Sequence, residues 1–198
     1  MLQTPLTLTF KLFALAPQIS VTDAQDQLVL YVKQKLFKLK EDIKVCSDRS
    51  QTQQLYAIKA DRIIDFSAAY RFTNAQNQAL GSVKRRGLRS IWRAHYDIFG
   101  PDQTETPLYT IREENPWVKV LDGLLCEVPI VNFFTGFILN PVYLVETSEK
   151  TVVMRLSKIP TFLSRKFTVK QMDQLDDNSQ ITIVLSLLMM VLLERSRG

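Results

Sequence analysis

The sequence holds a single histidine, His95, and only two cysteines, Cys46 and Cys126, in 198 residues. The cysteines are far apart and lack metal-ligand spacing, so neither a zinc site nor a disulfide framework is expected. Neither has a histidine placed by sequence to activate it for nucleophilic catalysis. The six glycines form no phosphate-cradling loop and no nucleophile elbow. An enzyme is therefore disfavoured, and no cofactor or metal is expected. A signal peptide is missing too: in MLQTPLTLTFKLF threonines alternate with leucines and Lys11 interrupts, so a cytoplasmic location is the expectation.

Long apolar runs are also scarce, and the one exception organises the rest. In NSQITIVLSLLMMVLLE, from Asn178 to Glu194, only Thr182 and Ser186 are polar between Ile181 and Leu193. At helical spacing this leaves no face for water, so the helix must be buried on every side. The run is shorter than the roughly 17 to 25 apolar residues that a bilayer span needs, which favours a core helix over a transmembrane one. Asp176, Asp177, Asn178 and Ser179 supply N-cap candidates, and Arg195 and Arg197 stand at the negative end of the helix dipole. Ser186 is expected to bond back to the carbonyl of Thr182, and Met189 and Met190 to act as flexible gap-fillers.

The remainder alternates short β-type runs with polar turns. ISVTDAQDQLVLYVKQ from Ile19, IKVCSDRSQTQQLYAIKA from Ile43, YRFTNAQNQALGSVKRR from Tyr70 and YDIFGPDQTETPLYTIREE from Tyr96 resemble one another. Each ends apolar then basic, at Val32-Lys33, Ile58-Lys59, Val83-Lys84 and Ile111-Arg112, at nearly even intervals. This is an internal repeat of one β-hairpin per unit. The alternation in Trp92-Arg93-Ala94-His95-Tyr96-Asp97-Ile98 marks strands with one buried face. The pattern breaks at Asn115-Pro116, where a short helix and then an apolar stretch interrupted by Pro129, Gly136 and Pro141 read as an insertion, before strands resume.

Roughly a dozen strands with one dry face each, and one helix that is dry all round, are satisfied together by closure. The expectation is a mainly β (α+β) single domain over 1–198: a closed antiparallel barrel wrapped round a C-terminal helix at about 179–195, with an insertion at about 115–140. A β-propeller would also suit the repeat but gives the helix no home. Lys35-Leu36-Phe37 leading into IKVCSD, SVKRRGLRSIWRAHYDIF, and the final VVMRLSKIPTFLSRKFTVKQMDQLDDNSQITIVLSLLMMVLLE resemble the LURP-one-related family of the tubby C-terminal-like superfamily, which also includes the phospholipid scramblases. The resemblance implies a twelve-stranded barrel around a C-terminal helix.

The densest charge cluster is Lys84, Arg85, Arg86, Arg89 and Arg93, a candidate site for an anionic headgroup because guanidinium forks bind phosphate oxygens bidentately. The bland reading is a solvated hairpin end. Successive strand residues also point to opposite faces, so Lys84 and Arg85 share one only across a turn or bulge. Phe133, Phe134, Phe137, Ile138 and Leu139 are candidates for membrane or partner contact, against a role as a plug over the barrel mouth. Asp173, Asp176, Asp177 and Asn178 lack the glycine turn and distal glutamate of an EF-hand, and helix capping accounts for them. His95 falls on the polar face beside Arg93 and Asp97.

With a net charge of +5 and pI near 9.2, the functional expectation is a non-enzymatic binding module. It engages anionic phospholipid or phosphoinositide headgroups, as a cytoplasmic protein peripheral to a membrane; tubby-like relatives bind phosphoinositides through a basic pocket, and a similar role here follows by analogy. The alternative is a protein-interaction or structural domain with no lipid ligand. Nucleic acid is a weaker partner, since no recognition helix or set of exposed stacking aromatics is evident.

Overall fold

A computed structural model describes residues 2–11, 18–33, 43–61, 68–86, 94–103, 105–114, 141–161 and 164–195. The insertion at 115–140, with Phe133, Phe134, Phe137, Ile138 and Leu139, lies outside the described residues, as do Arg89 and Arg93.

The period-two alternation becomes strands, in order β1 (Leu6–Lys11), β2 (Gln18–Thr22), β3 (Leu28–Lys33), β4 (Ile43–Cys46), β5 (Gln54–Ala60), β6 (Ala69–Asn74), β7 (Ala79–Arg85), β8 (His95–Phe99), β9 (Tyr109–Glu113), β10 (Val142–Thr147), β11 (Val152–Ile159) and β12 (Ser164–Gln171). Each pairs antiparallel with its neighbours in sequence, and β1 pairs with β12 from Leu6 opposite Val169 to Lys11 opposite Ser164, which closes a twelve-stranded barrel. Closure leaves no unpaired edge to template aggregation. The final helix α1 (Asp177–Arg195) fills the lumen: Ile183, Val184, Leu185, Leu187, Leu188 and Met189 are all fully buried although they point to every side of the helix. By length and composition α1 is also apolar enough to cross a membrane, but here the barrel wall supplies its apolar surroundings. The inner wall presents side chains such as Leu6, Leu8, Val21, Ile98 and Val169, each 0% exposed.

The connections alternate between the two ends of the barrel. At the end where α1 begins, hereafter the entry end, the hairpin turns are close copies. The Asp26 amide donates to the Asp23 carbonyl (3.1 Å), Asn77 to Asn74 (3.0 Å) and Lys150 to Thr147 (3.0 Å). Asp26, Asn77 and Lys150 have φ near +60°, the geometry of a type I turn followed by a left-handed residue. The side chains of Asp23 and Asn74 also accept amides inside their own turns. The register slips once, at Val21/Thr22, Val45/Cys46, Phe72/Thr73 and Val145/Glu146. The repeat therefore carries a bulge as well as a turn. The β8–β9 hairpin differs from its expected kinship: its register runs without a slip. Its loop holds Pro101 and Pro107, which fix φ and remove two amide donors.

Candidate functional site

Polar anchors fix α1 at both ends. At the entry end Asp176 is the N-cap, its Oδ1 accepting the amides of Asn178 and Ser179, both at 3.0 Å. The Ser179 hydroxyl first, then these amides, favours the ionised form and holds the Asp176 pKa below the usual carboxylate range. The Gln180 side chain accepts the Leu2 amide (2.7 Å) and donates to the Leu2 carbonyl (2.9 Å), tying the segment that precedes β1 to the helix. Further in, the Thr182 hydroxyl donates to the Leu80 carbonyl (3.0 Å) and the Ser186 hydroxyl to the Thr182 carbonyl (2.7 Å).

At the other end, hereafter the far end, Arg85 and Tyr96 stand opposite each other on β7 and β8 with side chains in the lumen. The Tyr96 hydroxyl donates to Glu194 at 2.7 Å. The Arg85 guanidinium lies 3.9 Å from the same carboxylate and 5.9 Å from the Tyr96 ring centre. Glu113 and Tyr143 form a second buried pair, opposite each other on β9 and β10. Burial first, then the Glu194 charge, pushes the Tyr96 hydroxyl far above its ordinary pKa, and burial, Glu113 and Glu194 do the same for Tyr143.

The basic run at 84–86 is thus divided by strand parity. Lys84 points to solvent, Arg85 is 7% exposed inside the barrel, and Arg86, 60% exposed, pairs with Asp97 at 3.1 Å on the outer wall. His95 is half-buried on that wall. Burial lowers its pKa; Arg86 and Arg112 add to this and Asp97 opposes it. Burial and Asp48 raise the Cys46 thiol, which keeps it protonated and a poor nucleophile. Among the described residues no group of histidine, cysteine and acidic side chains is placed to hold a metal ion.

A larger pattern emerges from the topology. The entry end carries acidic turns: Asp23 and Asp26 between β2 and β3, Asp48 between β4 and β5, Glu149 between β10 and β11, and Asp173 and Asp176 before α1. Arg49, Lys150 and the exposed Lys170 near the end of β12 are basic exceptions there. The outward cations gather towards the far end, with Lys11 closing β1, Lys33 closing β3, Lys59 near the end of β5, Arg71 near the start of β6, Lys84 near the end of β7 and Lys166 near the start of β12. Of the far-end carboxylates, Glu194 is held in the barrel mouth by Tyr96 and Arg85, whereas Glu114, paired with Arg155 at 2.8 Å, and Asp61 are exposed. The chain also leaves the barrel at Glu114 and re-enters at Pro141 at this end, as it does at Arg86 and Ala94. Sequence patterning missed the lumen cluster of Tyr96, Glu113, Tyr143 and Glu194 and the axial sorting of charge. The signal for the first was parity, since Gly81, Val83 and Arg85 are alternate residues of one strand.

A closed twelve-stranded barrel with an apolar helix as its axis defines the structural class. The LURP-one-related family model matches residues 28–184, and the chain belongs to that family. Among solved structures it is similar to the X-ray structure of a protein from Arabidopsis thaliana, at 15% identity and a TM-score of 0.53, over 100% of this chain and 94% of that one. At that identity the likeness concerns the fold. No curated protein matches. Family membership is consistent with a non-enzymatic domain.

Proposed function

We propose that the barrel is a non-enzymatic binding module that engages anionic phospholipid headgroups at the cytoplasmic surface of a membrane through its far end. The observation that carries the reading is the sorting of charge along the barrel axis. A basic protein whose cations are evenly spread is attracted weakly to any anionic surface. Here Lys11, Lys33, Lys59, Lys84 and Lys166 lie towards one end while the acidic turns lie at the other, so an anionic plane attracts one end and repels the opposite one. The connection carrying Phe133, Phe134, Phe137 and Ile138 attaches at the cationic end, which suits contact with the acyl boundary.

The test is flotation of the full chain with phosphatidylcholine vesicles, with and without phosphatidylserine. Binding should require the anionic lipid and weaken as salt rises, because exposed charges are screened beyond about 8 Å at physiological ionic strength. Each cation held near such a surface contributes roughly 1 kcal/mol. Replacing Lys11, Lys33 and Lys166 together by glutamine should therefore cost on the order of a hundredfold in partitioning. Asp23→Asn with Asp48→Asn at the entry end should cost nothing. Indifference of the wild type to phosphatidylserine would reject the reading.

A further inference from the structure

The ladder that closes the barrel stops short at the entry end. Its last pair is Leu6 with Val169, and the residue before Leu6 is Pro5, which has no amide to donate. Beyond that pair the two segments part. The one before β1 turns to the helix, where Gln180 holds Leu2 through both backbone groups. The end of β12 stays with β11: Gln171 lies opposite Met154, and the Met172 amide donates to the Val153 carbonyl at 2.9 Å. Between them opens a cleft of about 650 Å³ lined by residues 2–4 and 171–174. Gln180 also donates to the Gln171 side chain at 2.7 Å, so one buried amide ties both walls together.

One lining side chain is out of place at a solvated strand end. Met172 is 56% exposed, and among the described residues only Leu108 shares its standing as a large exposed apolar side chain. Methionine is unbranched and polarisable, so it adapts to apolar partners of varied shape. Next to it the exposed Asp173 accepts the Gln174 amide at 2.7 Å. The surroundings are acidic as well. Because β2 neighbours β1 and β11 neighbours β12, the turns that flank the cleft are β2–β3, with Asp23 and Asp26, and β10–β11, with Glu149. The cations on these segments, Lys150 and Lys170, are outnumbered by Asp23, Asp26, Glu149, Asp173 and Asp176.

We propose that this cleft docks a partner protein through a segment that sets a leucine or methionine against Met172 and flanks it with lysine or arginine. An apolar centre inside a polar rim is the usual anatomy of such a contact, and rim charges of one sign select and orient a partner of the other. The cleft lies at the end opposite the outward cations, so the proposal does not depend on the membrane reading.

The test is a chemical-shift titration of the full chain, labelled with nitrogen-15, by three pentapeptides: Lys-Lys-Leu-Lys-Arg, Lys-Lys-Ser-Lys-Arg and Glu-Glu-Leu-Glu-Glu. The first should shift the amides of residues 2–4 and 171–174, the serine peptide should bind roughly tenfold more weakly, and the acidic one should not bind. Met172→Ser should lower the affinity of the leucine peptide to that of the serine peptide and leave the latter unchanged, the signature of a direct contact. Asp173→Asn should weaken both basic peptides. Met172 is exposed, so unchanged melting will show that the variant is folded. Equal binding of the two basic peptides overturns the proposal, as do shifts confined to other surfaces, an affinity indifferent to Met172→Ser, or no binding at all. Sedimentation of the chain alone tests the other occupant: association at raised concentration that Met172→Ser abolishes would assign the cleft to a second copy and overturn the partner segment.

Discussion

The hydroxyl of Tyr96 donates a 2.7 Å hydrogen bond to Glu194 in the last turn of α1, across 98 residues of sequence. It locks the far end of the axial helix to β8 at the partly buried mouth of the barrel. Tyr96→Phe leaves the Glu194 carboxylate with one donor fewer in a partly buried site and should cost about 1–3 kcal/mol in urea unfolding. The same contact gives a pH dependence. Burial raises the hydroxyl pKa of Tyr56, Tyr70, Tyr96 and Tyr143 in the folded protein. In the unfolded chain these groups ionise near pH 10, so above that point the unfolded state binds fewer protons than the native one and stability falls as pH rises. Below it, their contribution is fully present. Melting temperature should therefore be flat through neutrality and drop above about pH 10, and less steeply in Tyr143→Phe.

The entry end responds at the opposite limit of pH. Asp176 caps α1 through two amides, and its pKa is depressed by the Ser179 hydroxyl and by those amides. Its contribution is present above the ordinary carboxylate pKa and is lost as pH falls through the lower folded value. Asp176→Ala should cost about 1 kcal/mol and Asp176→Asn much less, since asparagine caps comparably. Asp176→Asn should also lose the acid-dependent part of this term, which melting curves between neutral pH and pH 3 would show.

At Gly81 the wall lies close against the helix. Its φ is +145°, and a Cβ there would lie 2.4 Å from the Phe99 carbonyl oxygen and 3.0 Å from the Thr182 methyl. The first contact is with backbone that is paired in the β7–β8 ladder, so it cannot give way cheaply. Gly81→Ala combines overpacking with a backbone conformation that alanine resists, and about 1–3 kcal/mol of destabilisation is expected from the overpacking alone. Chemical denaturation checks it. A neutral result would mean that β7 can move away from α1.

The legible part of this molecule was its periodicity. Alternation over strands such as Leu6–Lys11 and the unbroken apolar surface of Ile181–Leu193 each state which faces avoid water, and closure round the helix satisfies both. The Ser186 bond to Thr182 was legible because it spans one helical turn. Relations across strands were not. Nothing near Tyr96 in sequence points to Glu194, because register decides it. Lys84, Arg85 and Arg86 look like one cluster along the chain, yet parity sends Arg85 into the lumen while Lys84 and Arg86 stay outside.

The axial role of α1 makes a sharp prediction at Leu188, which is 0% exposed in the middle of the helix. Removing such a side chain costs about 2–5 kcal/mol, and an unpaired carboxylate in its place adds several more. Together these approach the whole stability of a domain, about 5–15 kcal/mol. Leu188→Asp should therefore abolish cooperative unfolding and the near-ultraviolet circular dichroism of the barrel tyrosines. Leu188→Met, close in volume and equally apolar, should cost less than about 1.5 kcal/mol. If α1 instead served only as a detachable membrane anchor, Leu188→Asp would free a folded barrel from vesicles with its spectrum intact. That result would overturn the axis.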